Sequence, residues 1–336
     1  PPRCDGSRRE DPIRRLPLPE ELSPIMLEHL PFVLGLVSLL VGAEALVRSS
    51  SSIGLRLGMH PVTVGATIVG FGTSAPELVV SVLASFKGDS SIAIGNVVGS
   101  NVANIGLVLG LSALIRPVLV DPRVPRFEYP FALLAAVALP FLAMNGLLGL
   151  LEGAILAAGL ALFLLLYLAK SRGAKEEVEE IVEVRFSTPV LFLISIGGLA
   201  MLIGGSHFVV EGAKVIAKSF GMSDTTVSST IVAVGTSLPE IATSLVAAYR
   251  GAHGLILGNV LGSNIFNSTL VLGPSSMVRE LAVDDLTRTR LIPFMVLLTL
   301  LLYPLLRSGR KVTRLEGLVL LAIYAGFLWL VAPKES

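Results

Sequence analysis

Two glutamates, Glu77 and Glu240, stand in apolar runs of helix length with no Lys or Arg within one helical turn. An ionisable side chain in such a run costs several kcal/mol if the run crosses a bilayer, so its presence points to function. Each acid closes the same hexapeptide, GTSAPE at 72–77 and GTSLPE at 235–240. Each hexapeptide is followed by a second shared string, GNVVGSN at 95–101 and GNVLGSN at 258–264. The offset is 163 residues throughout, and it also pairs Thr67 with Thr230, Asn104 with Asn267 and Gly110 with Gly273. Two acids at equivalent places predict one shared cation site.

The neighbours of these acids are all oxygen donors. Pro76 and Pro239 fall near the middle of their runs, and a proline removes a backbone donor and clashes with the preceding turn. Carbonyls near Gly70 and Thr73 are therefore expected to be freed, which is tolerated at bilayer depth only beside a cavity or within protein. Hydroxyls flank each break, Thr73 with Ser74 and Thr236 with Ser237. On the next run Ser100 and Asn104, or Ser263 and Asn267, are four apart and share a helix face. Carboxylates, hydroxyls, amides and carbonyls suit Ca²⁺ or Na⁺, while zinc or copper would call for imidazole or thiolate. The four histidines, His29, His60, His207 and His253, lack ligand spacing, and Cys4 is alone, so no disulfide or thiolate site is expected.

Other polar residues read as structural. Glu44 precedes Arg48 by four and Glu211 precedes Lys214 by three, spacings of local ion pairs. Gly95, Gly99, Gly258 and Gly262 form small-xxx-small patterns that let helices pack closely. The five glutamates of 171–187 have no EF-hand spacing and read as a solvated linker.

These residues must be positioned by membrane helices. The chain has 336 residues, 53% hydrophobic and 15% charged, with a mean hydropathy of +0.79, and reads as an all-α polytopic membrane protein. Its net charge of +1 and scattered basic residues exclude a nucleic-acid partner. Ten transmembrane helices are expected, at about 31–50, 61–86, 91–116, 127–144, 148–170, 188–210, 223–249, 254–279, 291–306 and 314–332. Five precede the cytoplasmic linker 171–187 and five follow it, so the repeats 26–170 and 188–336 are expected to be inverted. Residues 1–25, polar and without a signal-peptide core, are expected to be a disordered extension. With both termini extracellular, fourteen Lys and Arg fall on cytoplasmic connections and seven on outer ones, the other five of 26 lying in the extension.

At these motifs the chain resembles the cation/Ca²⁺ exchanger superfamily, most closely the prokaryotic Na⁺/Ca²⁺ exchangers. The resemblance extends from about Met26 to the C-terminus, with the signature regions at 63–110 and 226–273. It implies a secondary antiporter, not an enzyme, with four central helices holding the ions and the first and sixth helices sliding past them. It further implies Ca²⁺ ligation by Glu77, Glu240 and the carbonyls of Thr73 and Thr236. Na⁺ sites would use Gly70, Thr73, Ser74, Ser100 and Glu77 on one side, and Ala233, Thr236, Ser237, Ser263 and Glu240 on the other, with Asn104 and Asn267 lining the centre. Relatives that require K⁺ carry Asp where this chain has Asn267, which argues against a K⁺ requirement. No cofactor and no protein partner is implied beyond the bilayer of the cell membrane, and a monomer is compatible with the sequence. An H⁺/Ca²⁺ exchanger remains an alternative, as does a cation channel, although midplane carboxylates would trap a divalent ion more readily than pass it. An intramembrane hydrolase lacks its nucleophile and base.

Overall fold

The computed structural model describes residues 24–171, 186–219 and 233–331, so most of the N-terminal extension, nearly all of the linker and part of the seventh expected span lie outside it. Eleven helices of more than three residues follow one another among the described residues. They are α1 (Pro24–Arg56), α2 (Pro61–Thr73), α3 (Ala75–Lys87), α4 (Ser90–Ile115), α5 (Glu128–Leu142) and α6 (Leu150–Ser171), then α7 (Thr188–Ser219), α8 (Leu238–Arg250), α9 (His253–Val278), α10 (Thr287–Arg307) and α11 (Arg314–Val331). A single short turn, Ala233–Gly235, leads into α8.

Seven of these are long and apolar enough to cross a bilayer, and α2 with α3 makes an eighth span bent by 42°. That is fewer than the ten expected, for two reasons. Helix α5 has 15 residues, about 22 Å at the α-helical rise against a core of roughly 30 Å. A 3₁₀ turn containing Pro125 precedes α5 and a turn at Gly146, with φ 81°, follows it. Of the expected span 223–249, only the part from Ala233 onward is described.

The repeat in sequence is a repeat in space. Helices α3 and α8 both stop at a glycine in the left-handed conformation, Gly88 (φ 85°) and Gly251 (φ 76°), which caps their last carbonyls. These glycines are 163 apart, and so are the arginines laid over them, Arg279 on Gly88 and Arg116 on Gly251. Two short antiparallel ladders repeat in the same way. Val118–Leu119 (β1) pairs with Lys311–Val312 (β4), and Leu147–Leu148 (β2) pairs with Leu281–Ala282 (β3), so that β3 lies 163 residues after β1 and β4 164 after β2. The 26-residue helices α4 and α9, each about 39 Å long, join the two sets of connections. One face therefore carries Gly88, β2 and β3, and the opposite face carries Gly251, β1 and β4.

Close packing rests on small residues, as expected where lipid replaces water as the solvent. Helices α1 and α7 run antiparallel and lie chiefly against each other, with Gly42 at Gly198 and Gly35 at Gly205; a Cβ at any of them would fall within 2.9 Å of a backbone oxygen. Ser38 Oγ bonds Met201 O at 2.8 Å, and Ser49 and Ser195 share a hydroxyl bond of 2.6 Å. The centre of the molecule is α9, where every residue from 253 to 266 except Gly254 is buried.

On the β1 face, His60 Nε2 donates to Asp121 Oδ2 at 3.0 Å. Burial pushes the Asp121 carboxyl up, but the bonds from His60 and from the Arg123 N–H (2.7 Å) outweigh it and hold the group below the usual carboxylate range. This histidine fixes a connection and belongs to no ligand cluster among the described residues.

Candidate functional site

The helix breaks fall at Ser74 (φ −80°, ψ 0°) and Ser237 (φ −84°, ψ 2°), not at the prolines themselves. Pro76 and Pro239 are the second residues of α3 and α8, where a missing backbone donor costs least. The expectation that Gly70 would lose its helical partner is corrected by the geometry. Gly70 O still accepts from the Ser74 N–H at 3.1 Å. The donor that Pro76 lacks would have served Gly72, four residues earlier, but Gly72 O accepts a backbone N–H at the cap instead.

Each break places its glutamate in the first turn of the following helix, and both side chains are fully buried. Ser100 Oγ donates to Glu77 Oε1 at 3.3 Å, while Glu77 Oε2 and both oxygens of Glu240 have no hydrogen-bond partner. Thr73 and Ser263 stand beside Glu240, and Thr236 stands beside Glu77. A buried carboxylate without a counter-charge is costly, and three of these four oxygens are bare at 0% exposure. Among the described residues no group of three or more His, Cys, Asp and Glu forms a metal site of the transition-metal kind.

The surrounding bonds cross between repeats in equivalent pairs. Thr73 Oγ1 donates to Asn259 Oδ1 at 3.1 Å, and Thr236 Oγ1 donates to Asn96 Oδ1 at 3.2 Å. Behind them, Asn259 Nδ2 donates to Ser244 Oγ (3.0 Å) and Asn96 Nδ2 to Ser81 Oγ (2.9 Å). Ser237 Oγ reaches Ser100 Oγ at 3.2 Å, and Ser263 Oγ reaches Gly70 O at 3.4 Å. Thus Gly70, Thr73, Glu77, Ser100, Thr236, Ser237, Glu240 and Ser263 converge on one buried region. Ser74 is buried there too, with its hydroxyl unbonded. Ala233 opens the short turn ahead of Thr236, and its side chain lies outside the described residues.

The centre departs from symmetry. Asn104 Nδ2 donates to Asn264 Oδ1 at 3.0 Å, but the equivalent bond from Asn267 to Asn101 is not made. Asn101 Nδ2 turns instead to Ser268 Oγ at 2.9 Å, leaving both polar atoms of the fully buried Asn267 without partners. Asn104 and Asn267 each open a π-helical turn, a local widening often found at functional sites. Sequence reasoning missed Asn96, Asn101, Asn259 and Asn264 as site residues, although they are the asparagines of the two repeated GNVVGSN and GNVLGSN strings.

Compared with known proteins, residues 29–169 and 190–332 match the family described as sodium/calcium exchanger protein. A candidate antiporter of Alkalimonas amylolytica, CaxA, is 38% identical over 89% of this chain and 97% of its own length. The sodium/calcium exchanger MaX1 of Methanosarcina acetivorans is 33% identical over 90% of this chain and 98% of its own. Among solved structures, the sodium-calcium exchanger NCX_Mj, soaked with zero Na⁺ and Ca²⁺, superimposes with a TM-score of 0.81. It is 32% identical, and the match covers 91% of this chain and 99% of NCX_Mj. The fold is that of an all-α polytopic membrane protein, and the buried oxygen-lined site lies where its two repeated halves meet. The chain belongs to the sodium/calcium exchanger family: it is a secondary antiporter of Na⁺ and Ca²⁺ working by alternating access, and not an enzyme.

Proposed function

We propose that Ca²⁺ binds between Glu77 and Glu240 with the carbonyls of Thr73 and Thr236, and that Na⁺ competes for the same carboxylates. Its Na⁺ positions use Gly70, Thr73, Ser74, Ser100 and Glu77 on one side and Ala233, Thr236, Ser237, Ser263 and Glu240 on the other, with Asn104 and Asn267 at the centre. The observation that carries this reading is the set of three unbonded carboxylate oxygens, fully buried among hydroxyls and amides. Two ionised glutamates neutralise one Ca²⁺ or two Na⁺. Sites that share them cannot hold both ion sets, and an empty site would carry two buried charges across the membrane, so exchange is obligatory. The test is ⁴⁵Ca²⁺ uptake into proteoliposomes loaded with Na⁺ in K⁺-free buffer. Uptake should need the outward Na⁺ gradient and no K⁺, because Asn267 supplies an amide where a third acid would be required. Uptake driven equally well by a proton gradient alone would favour the H⁺/Ca²⁺ reading.

The finer architecture we infer is ten crossings in two inverted five-helix repeats, with α5 as a short crossing and both termini extracellular. It is supported by the ladders, since β1 with β4 and β2 with β3 join connections that this topology puts on the same side. In a Cys4→Ser background, Asn145→Cys, beside β2, should be labelled by an impermeant maleimide in intact cells. Pro122→Cys, beside β1, should be labelled only after the cytoplasmic face is opened; the reverse pattern would invert the orientation.

A further inference from the structure

The two sides of the site are not alike in this structure. A crevice of about 400 Å³ runs between α3 and α7, past Val79, His207 and Val210, and ends at Pro76 and Thr236. It lies on the half of α3 that leads to the Gly88 face. The 163-residue offset carries Val79 to Ala242, Val80 to Thr243 and Thr236 back to Thr73. Val79 is 56% exposed and Ala242 7%, while Thr243 and Thr73 are buried. Helix α1 covers the second set by lying along α8, whereas α7 stands off from α3.

On the covered side, an ion pair joins the covering helix to the core. Arg250, at the end of α8, grips Glu44 of α1 with two nitrogens, Nε to Oε2 at 3.2 Å and Nη2 to Oε1. Arg48 of α1 shares the same carboxylate. The offset carries Glu44 to His207, Arg48 to Glu211 and Arg250 to Lys87, and Glu211 is already paired with Lys214 of its own helix at 2.7 Å. A state in which α7 lay on α3 as α1 now lies on α8 would bring Lys87 to His207 and Glu211, where an ammonium cannot form the two-nitrogen fork that Arg250 makes with Glu44.

We propose that Glu44 and Arg250 form a latch that holds the exchanger open on the crevice face, making them positioning residues that set unequal affinities on the two sides. The inference rests on the ion site between Glu77 and Glu240. A contact made in one of two states shifts the population toward that state, and the fraction open to a face scales the apparent affinity measured from that face. A partly exposed pair whose carboxylate is shared with Arg48 is modest in strength, so the shift should be several-fold.

The test uses the full chain in proteoliposomes, with Cys4→Ser and a reporter Val79→Cys, labelled by an impermeant methanethiosulfonate with Na⁺ at equal concentration on both sides, so that the loaded carrier moves between its two states. Glu44→Gln and Arg250→Gln should each slow labelling several-fold, and the double variant should be no slower than either, because both act through one contact. The KM for Ca²⁺ should rise on the crevice face and fall on the latch face, which a loss of general stability would not produce. Unchanged labelling in both single variants, additive losses in the double variant, or KM values moving the same way on both faces would overturn the latch. Labelling requires no net transport. A wild type that labels but does not exchange would count against the exchange reading, with the latch still decided by the labelling rates.

Discussion

Replacing either buried acid, Glu77→Gln or Glu240→Gln, should reduce Ca²⁺ uptake roughly a hundredfold, since removing one partner of a desolvated charge pair costs about 3 kcal/mol. Glutamine keeps the size of the side chain and still offers an oxygen, but it withdraws half of the charge that balances a divalent ion. The protein should remain folded. Each carboxylate is fully buried among neutral donors, with three of the four oxygens unbonded, so in the empty protein the substitution removes an uncompensated charge. Thermal unfolding separates the two effects. The wild type should gain stability as Ca²⁺ is added, because a ligand that binds only the folded state raises its melting temperature, and both variants should lose that gain. Uptake at the wild-type rate in either variant would remove that glutamate from the site.

Much of the site was legible in the sequence because the chain states it twice. A single GTSAPE could be a kinked helix with an incidental acid; a second copy 163 residues on, with the same string following it, leaves little room for coincidence. Helix type also followed from apolar length, and the prolines marked each break to within two residues, at Ser74 and Ser237. What the sequence did not disclose was the partner of each group. Thr73 bonds Asn259 and Thr236 bonds Asn96, contacts across the repeats that no local spacing encodes. Equal motifs likewise hide unequal surroundings. Glu44 looked like the partner of Arg48 alone, yet Arg250, 206 residues away, takes the same carboxylate. The unbonded amide of Asn267 has the same origin: its twin Asn104 finds Asn264, while Asn101 turns to Ser268, a residue with no hydroxyl counterpart at Ile105.

Gly262→Val should be among the most damaging substitutions that touch no ion ligand. Gly258 and Gly262 lie one turn apart on α9, against the backbone of α2. A Cβ on Gly262 would sit 2.6 Å from both Cα and O of Ala66, and one on Gly258 would sit 2.3 Å from Val62 O. Backbone atoms cannot swing aside as a side chain can, so the helices must part, and overpacking of this kind costs about 3 kcal/mol. The consequence reaches the site directly. Ser263 is the next residue, its hydroxyl 3.4 Å from Gly70 O and 3.3 Å from Thr73 Oγ1, and both contacts bridge α9 to α2. Separating the helices by even an ångström breaks this join and unseats one side of the cation site. Gly262→Val should therefore lower the melting temperature and reduce Ca²⁺ uptake at least tenfold, an amount equivalent to about 1.4 kcal/mol. Gly326→Val, on α11, is the matched control, because a Cβ there meets nothing within 4 Å among the described residues. Equal uptake and equal melting temperature for the two variants would show that the α2–α9 approach does not hold the site together.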